Sequence, residues 1–314
     1  MTAQGRRAAF RPGFTLIELL LVVGIIGMLV SMAMPAVQAA RERSRRNGCQ
    51  QQLRQLAIGI ENYEAARRRF PPGQLFGPYG KGPTSTAWSW LALILPQIEQ
   101  QSLYEQSRIP QATLEASGVC GTRLGMLRCP TDSAWPRQSS DDRGDLEGLQ
   151  VELTNYQAVS GSNWGADRSQ GFDTIGTDWP HQGTNGSFDG LNEGDGIMFR
   201  VDYRTVRGKR HVTDGLSKTF LLGENLPSEN AWCSWPYANN AYGTCGIPPN
   251  VVPVPGHAYT PRWWPNVAGF RSAHAGGLSF AYADGSVHFI DDAVELAVYR
   301  AMATIAGHEQ HTVH

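Results

Sequence analysis

The chain has 314 residues, a formal net charge of −1 and only 18% charged residues. A balance this close to neutral lacks the basic footprint of a nucleic-acid binder. With 35 Gly, 19 Pro and 9 Trp, the bulk of the chain reads as a loop-rich, aromatic-rich β domain rather than a helical one.

Residues Gly13 to Met34 read GFTLIELLLVVGIIGMLVSMAM, after a short leader that holds Arg6, Arg7 and Arg11. About 20 apolar residues at ~1.5 Å rise span the roughly 30 Å core of a bilayer, so this segment predicts a membrane helix. Glu18 is the one acid in it. An unpaired carboxylate costs ~2.5–3.5 kcal/mol at the membrane centre and calls for a reason. Gly24 and Gly27 let helices approach closely. Pro35 lacks an N–H and is expected to kink or loosen the helix where it leaves the bilayer. A secretory signal peptide would want a shorter apolar core and a small-x-small cleavage site, and Met32-Ala33-Met34 is a poor one.

The run Gly13-Phe14-Thr15-Leu16-Ile17-Glu18 resembles the N-terminus of type IV prepilins and type II secretion pseudopilins. The resemblance implies that a prepilin peptidase cuts after Gly13 and methylates the new N-terminal Phe14. It also implies an assembly role for Glu18 and Pro35, and a pilin-like α+β fold. In that fold a long N-terminal helix lies on an antiparallel β-sheet domain with long loop insertions. The expected organisation is a leader over 1–13, a membrane and filament helix over 14–35, its outer half over 36–70, and an extracytoplasmic globular domain over 71–314. Physically, the new amine of Phe14 is a cation that Glu18 of a neighbouring subunit can neutralise, removing two uncompensated charges at once. The implied partners are the peptidase, other pseudopilin-like subunits and the bacterial inner membrane. Arg41, Arg43, Arg45 and Arg46 follow the apolar stretch and run against a simple positive-inside count. The cut-site match keeps the leader cytoplasmic, and the four arginines are assigned to anionic headgroups on the outer face.

Beyond Pro35, Cys49, Leu53, Leu56, Ile60 and Tyr63 recur at three- and four-residue steps, one apolar stripe of a continuing helix. Pro71-Pro72-Gly73 ends it near Arg68. Trp88 to Tyr104 predicts a short amphipathic helical segment broken at Pro96. Leu124 to Cys129 reads as a strand that runs into a Cys129-Pro130-Thr131-Asp132 turn. Asn155–Ser160, Ile197–Val201 and Thr219–Leu222 are further strand candidates. Ser228 to Pro265 reads as a long insertion whose aromatics pack over the sheet. Leu278–Ala283 and Ser286–Ile290 flank Asp284-Gly285, a two-residue hairpin signal that would pair Ala281 with His288 and Phe280 with Phe289. Asp292 through Glu295 fits a capping box for a last helix to about Ile305.

Five cysteines, Cys49, Cys120, Cys129, Cys233 and Cys245, form no C-x-x-C pair and match no zinc spacing. Export makes disulfides available. Cys233 and Cys245 flank a loop rich in Trp, Asn, Tyr and Gly and are the expected pair. Cys129 has Cys120 or Cys49 as a partner, and buried free thiols are the competing reading.

His274, nine residues, then Asp284-Gly285 resembles the H-X9-DG signature associated with prepilin-type processing. Phe70-Pro71-Pro72-Gly73, Leu95-Pro96 with Glu99, Cys129-Pro130-Thr131-Asp132, Asp214-Gly215 and Gly223-Glu224 match the same large bacterial family of unknown function. The resemblance supplies no activity. His274, Glu224, Asp284 and His288 invite a metal or hydrolase reading, but Asp284-Gly285 is first a turn, and no G-x-S-x-G, phosphate loop or H-E-x-x-H occurs. Calcium is the one cofactor considered, on Asp189, Asn192 and Asp195, whose run lacks full EF-hand spacing. The expectation is therefore a structural, non-enzymatic subunit. The alternative is a membrane-tethered binding module that grips a ligand with Trp232, Trp235, Trp263 and Trp264. An extracytoplasmic enzyme comes third and requires His274 to converge with acids.

Overall fold

A computed structural model describes residues 15–73, 79–132, 146–163, 194–200, 205, 207–251 and 267–307. The chain divides into two compact units, up to Ser44 and from Arg45 onward. Helix α1 spans Leu16–Arg67, 52 residues, and continues through Pro35. Its first half is apolar and exposed, from Leu16 at 73% to Val37 at 49%. From Cys49 on, it buries the predicted stripe of Cys49, Leu53, Leu56, Ile60 and Tyr63, joined by Ala57 and Gly59. Gly59 sits where a Cβ would stand 2.7 Å from Ile98 Cγ2, so the absent side chain sets how closely the helix meets its neighbour. Arg68 follows in the left-handed region (φ 57°) and its N–H closes on Glu64 O at 2.6 Å, which ends the helix one residue from the expected place.

Three short helices follow: α2 (Trp90–Leu93), α3 (Gln101–Gln106) and α4 (Leu114–Ser117). A 3-10 turn over Leu95–Ile98 carries Pro96, the predicted break. Segment α2 is not amphipathic, because all four of its residues are buried. Leu124–Cys129 is not a strand either. It holds a 3-10 turn at Gly125–Leu127 and then the Cys129–Asp132 turn, closed by Asp132 N–H to Cys129 O at 3.2 Å. Ile197–Arg200 is buried but irregular, without strand pairing.

The sheet holds β1 (Tyr156–Val159), β2 (Phe220–Glu224), β3 (Tyr242–Gly243), β4 (Gly277–Tyr282) and β5 (Val287–Asp291), in the order β3-β1-β2-β4-β5. It is mixed rather than wholly antiparallel, since β3 runs parallel to β1 through Ala158↔Tyr242 and Val159↔Gly243. The supposed insertion over 228–265 thus contributes an edge strand as well as aromatics. A parallel partner needs a long crossover, and the chain from Ser160 to Ala241 supplies it.

Both sheet faces are covered, as alternation along β4 shows. Leu278, Phe280 and Tyr282 pack with Phe220, Phe270, Tyr299 and Met302. Ala281 and Ala283 face the stripe of α1 together with Trp88, Trp90 and Trp235. The Phe220 and Phe280 rings stack at 4.1 Å between centroids, and Phe270 meets Phe280 edge-on at 5.1 Å. The three large indoles are core groups whose N–H donors are satisfied: Trp88 by Ala112 O (2.9 Å), Trp90 by Ala241 O (2.9 Å) and Trp235 by Thr122 O (3.0 Å).

The β4–β5 hairpin forms where expected but one residue out of the predicted register: Ala281 pairs with Val287, Phe280 with His288 and Leu278 with Ile290. Gly285 N–H bonds Tyr282 O at 3.0 Å and Tyr282 N–H bonds Ser286 O at 2.8 Å. The connection is therefore a three-residue loop, Ala283-Asp284-Gly285, with Gly285 at φ 81°. A turn followed by a left-handed glycine inserts one residue, and that residue moves every pair by one. His288 consequently shares the face of Phe280 and stands edge-on to Tyr282, at 5.1 Å. The last helix, α5 (Leu296–Ala301), starts late, and Glu295 makes no side-chain cap. Asp292 to Glu295 is not a capping box. Instead Asp291 Oδ1 accepts the Ala293 N–H at 2.8 Å.

Candidate functional site

Two places carry chemistry. The first is the start of α1. Gly13 and Phe14 lie outside the described residues. Thr15 donates to Glu18 Oε2 from its N–H (2.9 Å) and its Oγ1 (2.8 Å), while Glu18 N–H donates to Thr15 Oγ1 (3.3 Å). This reciprocal T-x-x-E arrangement is a capping box. The T-x-x-E pattern of Thr15 and Glu18 is a local signature, separate from the role between subunits expected of Glu18. Glu18 thus has a partner within a single chain, and its anionic oxygen sits at the helix terminus whose N–H groups favour negative charge. Of the four arginines assigned to headgroups, Arg46 instead lays its guanidinium 4.5 Å over the Phe289 ring.

The second place is interior. Cys49 comes from α1, Cys129 from the first position of the Cys129–Asp132 turn, Glu224 from the end of β2, and His274 from the loop before β4. All four are buried, at 0%, 4%, 2% and 3% exposure. Their Sγ, Sγ, carboxylate and imidazole atoms lie within 4.8 Å of one another. Cys49 and Cys129 form a disulfide across Cα atoms 5.2 Å apart. His274 Nε2 stands 3.6 Å from Cys129 Sγ and 3.6 Å from Glu224 Oε1. Ser279 N–H donates to Glu224 Oε2 at 2.7 Å, whereas Oε1 is buried with no hydrogen-bond partner. Burial raises the Glu224 pKa, and the neighbouring His274 pulls against that rise.

The surrounding residues hold these groups in place. Asn155 Oδ1 accepts the Cys129 N–H at 2.7 Å. Its Nδ2 donates to Asp132 Oδ2 (3.0 Å) and to Asn225 O (2.8 Å), tying the turn to β1 and β2. Tyr156 OH donates to Cys49 O at 3.3 Å and to Gln52 Oε1 at 2.6 Å. Its phenol is pushed well above the ordinary range by burial and by the Glu224 charge.

The expected Cys233–Cys245 disulfide does not form; both are buried thiols outside any disulfide, as is Cys120. Cys245 packs instead among Val159, Phe220, Phe270 and Tyr299. The other partner considered for Cys129, Cys49, is the one it takes. His274 meets Glu224, but Asp284 and His288 do not join them. Asp284 Oδ1 accepts from Ser286 N–H (2.9 Å) and Oγ (2.6 Å), a turn role, and His288 is exposed. Of the calcium candidates, Asp189 and Asn192 lie outside the described residues. The Asp195 carboxylate ties the segment after β1 to its own, accepting from Ser162 N–H (2.6 Å), Ser162 Oγ (3.1 Å) and Asn163 N–H (3.4 Å). Trp263 and Trp264 lie outside as well, and Trp235 is fully buried, which removes it from a ligand-gripping surface. All four residues of the interior cluster stand in stretches singled out by sequence, and Cys49 with Cys129 and His274 with Glu224 are each pairings it offers. The meeting of the two pairs has no local signal, because they are far apart along the chain.

Residues 38–297 match a family described as a protein of unknown function, DUF1559. Residues 11–34 match the prokaryotic N-terminal methylation motif. None of the curated proteins and none of the solved structures matches the chain.

Proposed function

We infer the role of a chain that belongs to the DUF1559 family and carries a prokaryotic N-terminal methylation motif: a membrane-anchored, prepilin-like structural subunit. In this reading prepilin peptidase removes residues 1–13 and methylates Phe14. The apolar half of α1 then holds the protein in the bacterial inner membrane, with the globular domain outside the cytoplasm. Assembly through that helix builds a type II secretion or type IV pilus-like filament. One observation carries the reading. Fifteen large apolar residues of α1 between Leu16 and Val37 are exposed, and Glu18 is the one acid in that stretch. Lipid covers such a surface before assembly, and neighbouring helices cover it afterwards.

The capping box refines the electrostatic argument. In the lone subunit, Glu18 is held by Thr15. In the filament, the Phe14 amine of an adjacent copy adds the charge partner. Glu18→Gln keeps an acceptor for the Thr15 N–H and discards the charge, whereas Glu18→Ala discards both. Both variants should insert into the membrane. Both should lose most of the crosslinks that wild type forms between cysteines placed in the first half of α1. If Glu18→Gln crosslinks as wild type does, the charge-pairing account fails. Mass spectrometry of the purified mature protein tests processing directly, with N-methylated Phe14 expected at the terminus and an intact leader refuting it.

A further inference from the structure

We propose that Cys49, Cys129, Glu224 and His274 form a binding site for one thiophilic divalent cation, zinc fitting best, in the dithiol form of the protein. The donor set is two sulfurs, one imidazole nitrogen and one carboxylate oxygen, a combination that selects zinc over calcium or magnesium. Zinc takes sulfur at about 2.3 Å and nitrogen or oxygen at about 2.0–2.2 Å, so the ligand atoms of a tetrahedron stand about 3.3–3.8 Å apart. The contacts of His274 Nε2 with Cys129 Sγ and Glu224 Oε1, each 3.6 Å, already fall on two edges of that figure. Finally, Glu224 Oε1 is buried without a hydrogen bond, and its 3.6 Å contact is with another member of the set, His274 Nε2.

Hydrogen bonds hold three of the four ligand-bearing segments. The second carboxylate oxygen is fixed by Ser279 N–H, the Cys129 backbone by Asn155, and the His274 backbone N–H by Ser272 Oγ at 3.2 Å. Only the two sulfurs must change, parting from bonded contact to the tetrahedral edge. Each sits on an anchored backbone, Cys49 in a helix and Cys129 in a hydrogen-bonded turn, so side-chain rotation supplies the movement. Disulfide and metal forms exclude each other, because one sulfur pair cannot both bond to itself and serve as two thiolate ligands. The inference is independent of the filament reading, since it concerns the domain interior alone.

The test uses the full-length protein in detergent, freed of metal, with cobalt as the spectroscopic stand-in for zinc. Protein reduced with a phosphine and kept anaerobic should bind one cobalt per chain. It should show thiolate-to-cobalt charge-transfer absorption with intense tetrahedral ligand-field bands, and one equivalent of zinc should abolish both. The same preparation left as the disulfide should show neither. Cys49→Ser should lose most of the charge-transfer intensity, and Glu224→Gln and His274→Ala should each weaken cobalt binding at least tenfold. The absence of charge-transfer bands in the reduced wild type overturns the proposal. So does undiminished binding in both Glu224→Gln and His274→Ala, which would place the metal on other thiols. The comparison of reduced and oxidised wild type needs no variant, so a variant that fails to fold does not remove the test.

Discussion

Reducing the Cys49–Cys129 bond should destabilise the globular domain by an amount set mainly by the loop it closes. The two residues are 80 apart in sequence. Cross-linking a loop of that length removes about 15 cal/mol/K from the unfolded chain, or ~4.5 kcal/mol at 25 °C in the chain-entropy model. Measured losses for native disulfides cluster at about 2–5 kcal/mol, so a value in the upper half of that range is expected. The assay is guanidinium unfolding of the full-length protein in detergent, followed by the fluorescence of the buried Trp88, Trp90 and Trp235. It is run with and without a phosphine reductant, both in the presence of a chelator. The chelator matters because a metal on the released thiols would restore part of the loss. A Cys233→Ala/Cys245→Ala variant should respond to the reductant as wild type does, and a Cys49→Ala/Cys129→Ala variant should not respond at all. A wild-type loss below about 1 kcal/mol, or a reductant response that follows Cys233 and Cys245, would refute the reasoning.

Three further outcomes follow from the same packing. Burial pushes the Cys120 thiol up to about 12 and raises that of Cys245 as well. Near pH 8 the Cys120 thiolate fraction is then about one in ten thousand, so iodoacetamide should leave both thiols unlabelled until denaturant is added. Gly223→Ala places a Cβ 2.5 Å from both Phe270 Cδ1 and Phe280 Cε1 and should cost about 1–3 kcal/mol in the same unfolding assay. Burial also raises the Asp195 pKa above its ordinary 3.8, against the hydrogen bonds from Ser162 and Asn163. A raised carboxyl contributes stability below the unfolded pKa that is lost as pH rises through the folded one. Relative to wild type, Asp195→Asn should therefore gain stability between acid and neutral pH, as thermal melts across that interval would show.

The apolar stripe of α1 and the Asp284-Gly285 turn carry over into the structure, whereas the amphipathic reading of Trp88–Tyr104 does not. The three- and four-residue steps from Cys49 to Tyr63 placed the buried face of α1 because helical period and burial are one local property. Asp284-Gly285 marked the hairpin, yet the register missed by one, because the same two residues serve a two-residue or a three-residue loop. Only the cross-strand hydrogen bonds distinguish the two. Leu124–Cys129 looked like a strand by composition and became a turn, since apolar side chains there are buried by neighbours without any ladder to join. The parallel placement of β3 was beyond local reading, as it depends on a crossover from Ser160 to Ala241. The interior cluster was out of reach for the same reason. Each residue was visible in its own stretch, but four elements had to fold before Cys49, Cys129, Glu224 and His274 could meet.

Cys49 is the first buried position along α1, ahead of Leu53, Leu56, Ile60 and Tyr63. A helix pulled from its free end normally peels, giving up one contact at a time, so the force needed is that of a single side chain. A covalent stitch at the leading position forbids peeling. Tension must then shear the whole stripe together, and the seam resists with the sum of its contacts instead of the weakest of them.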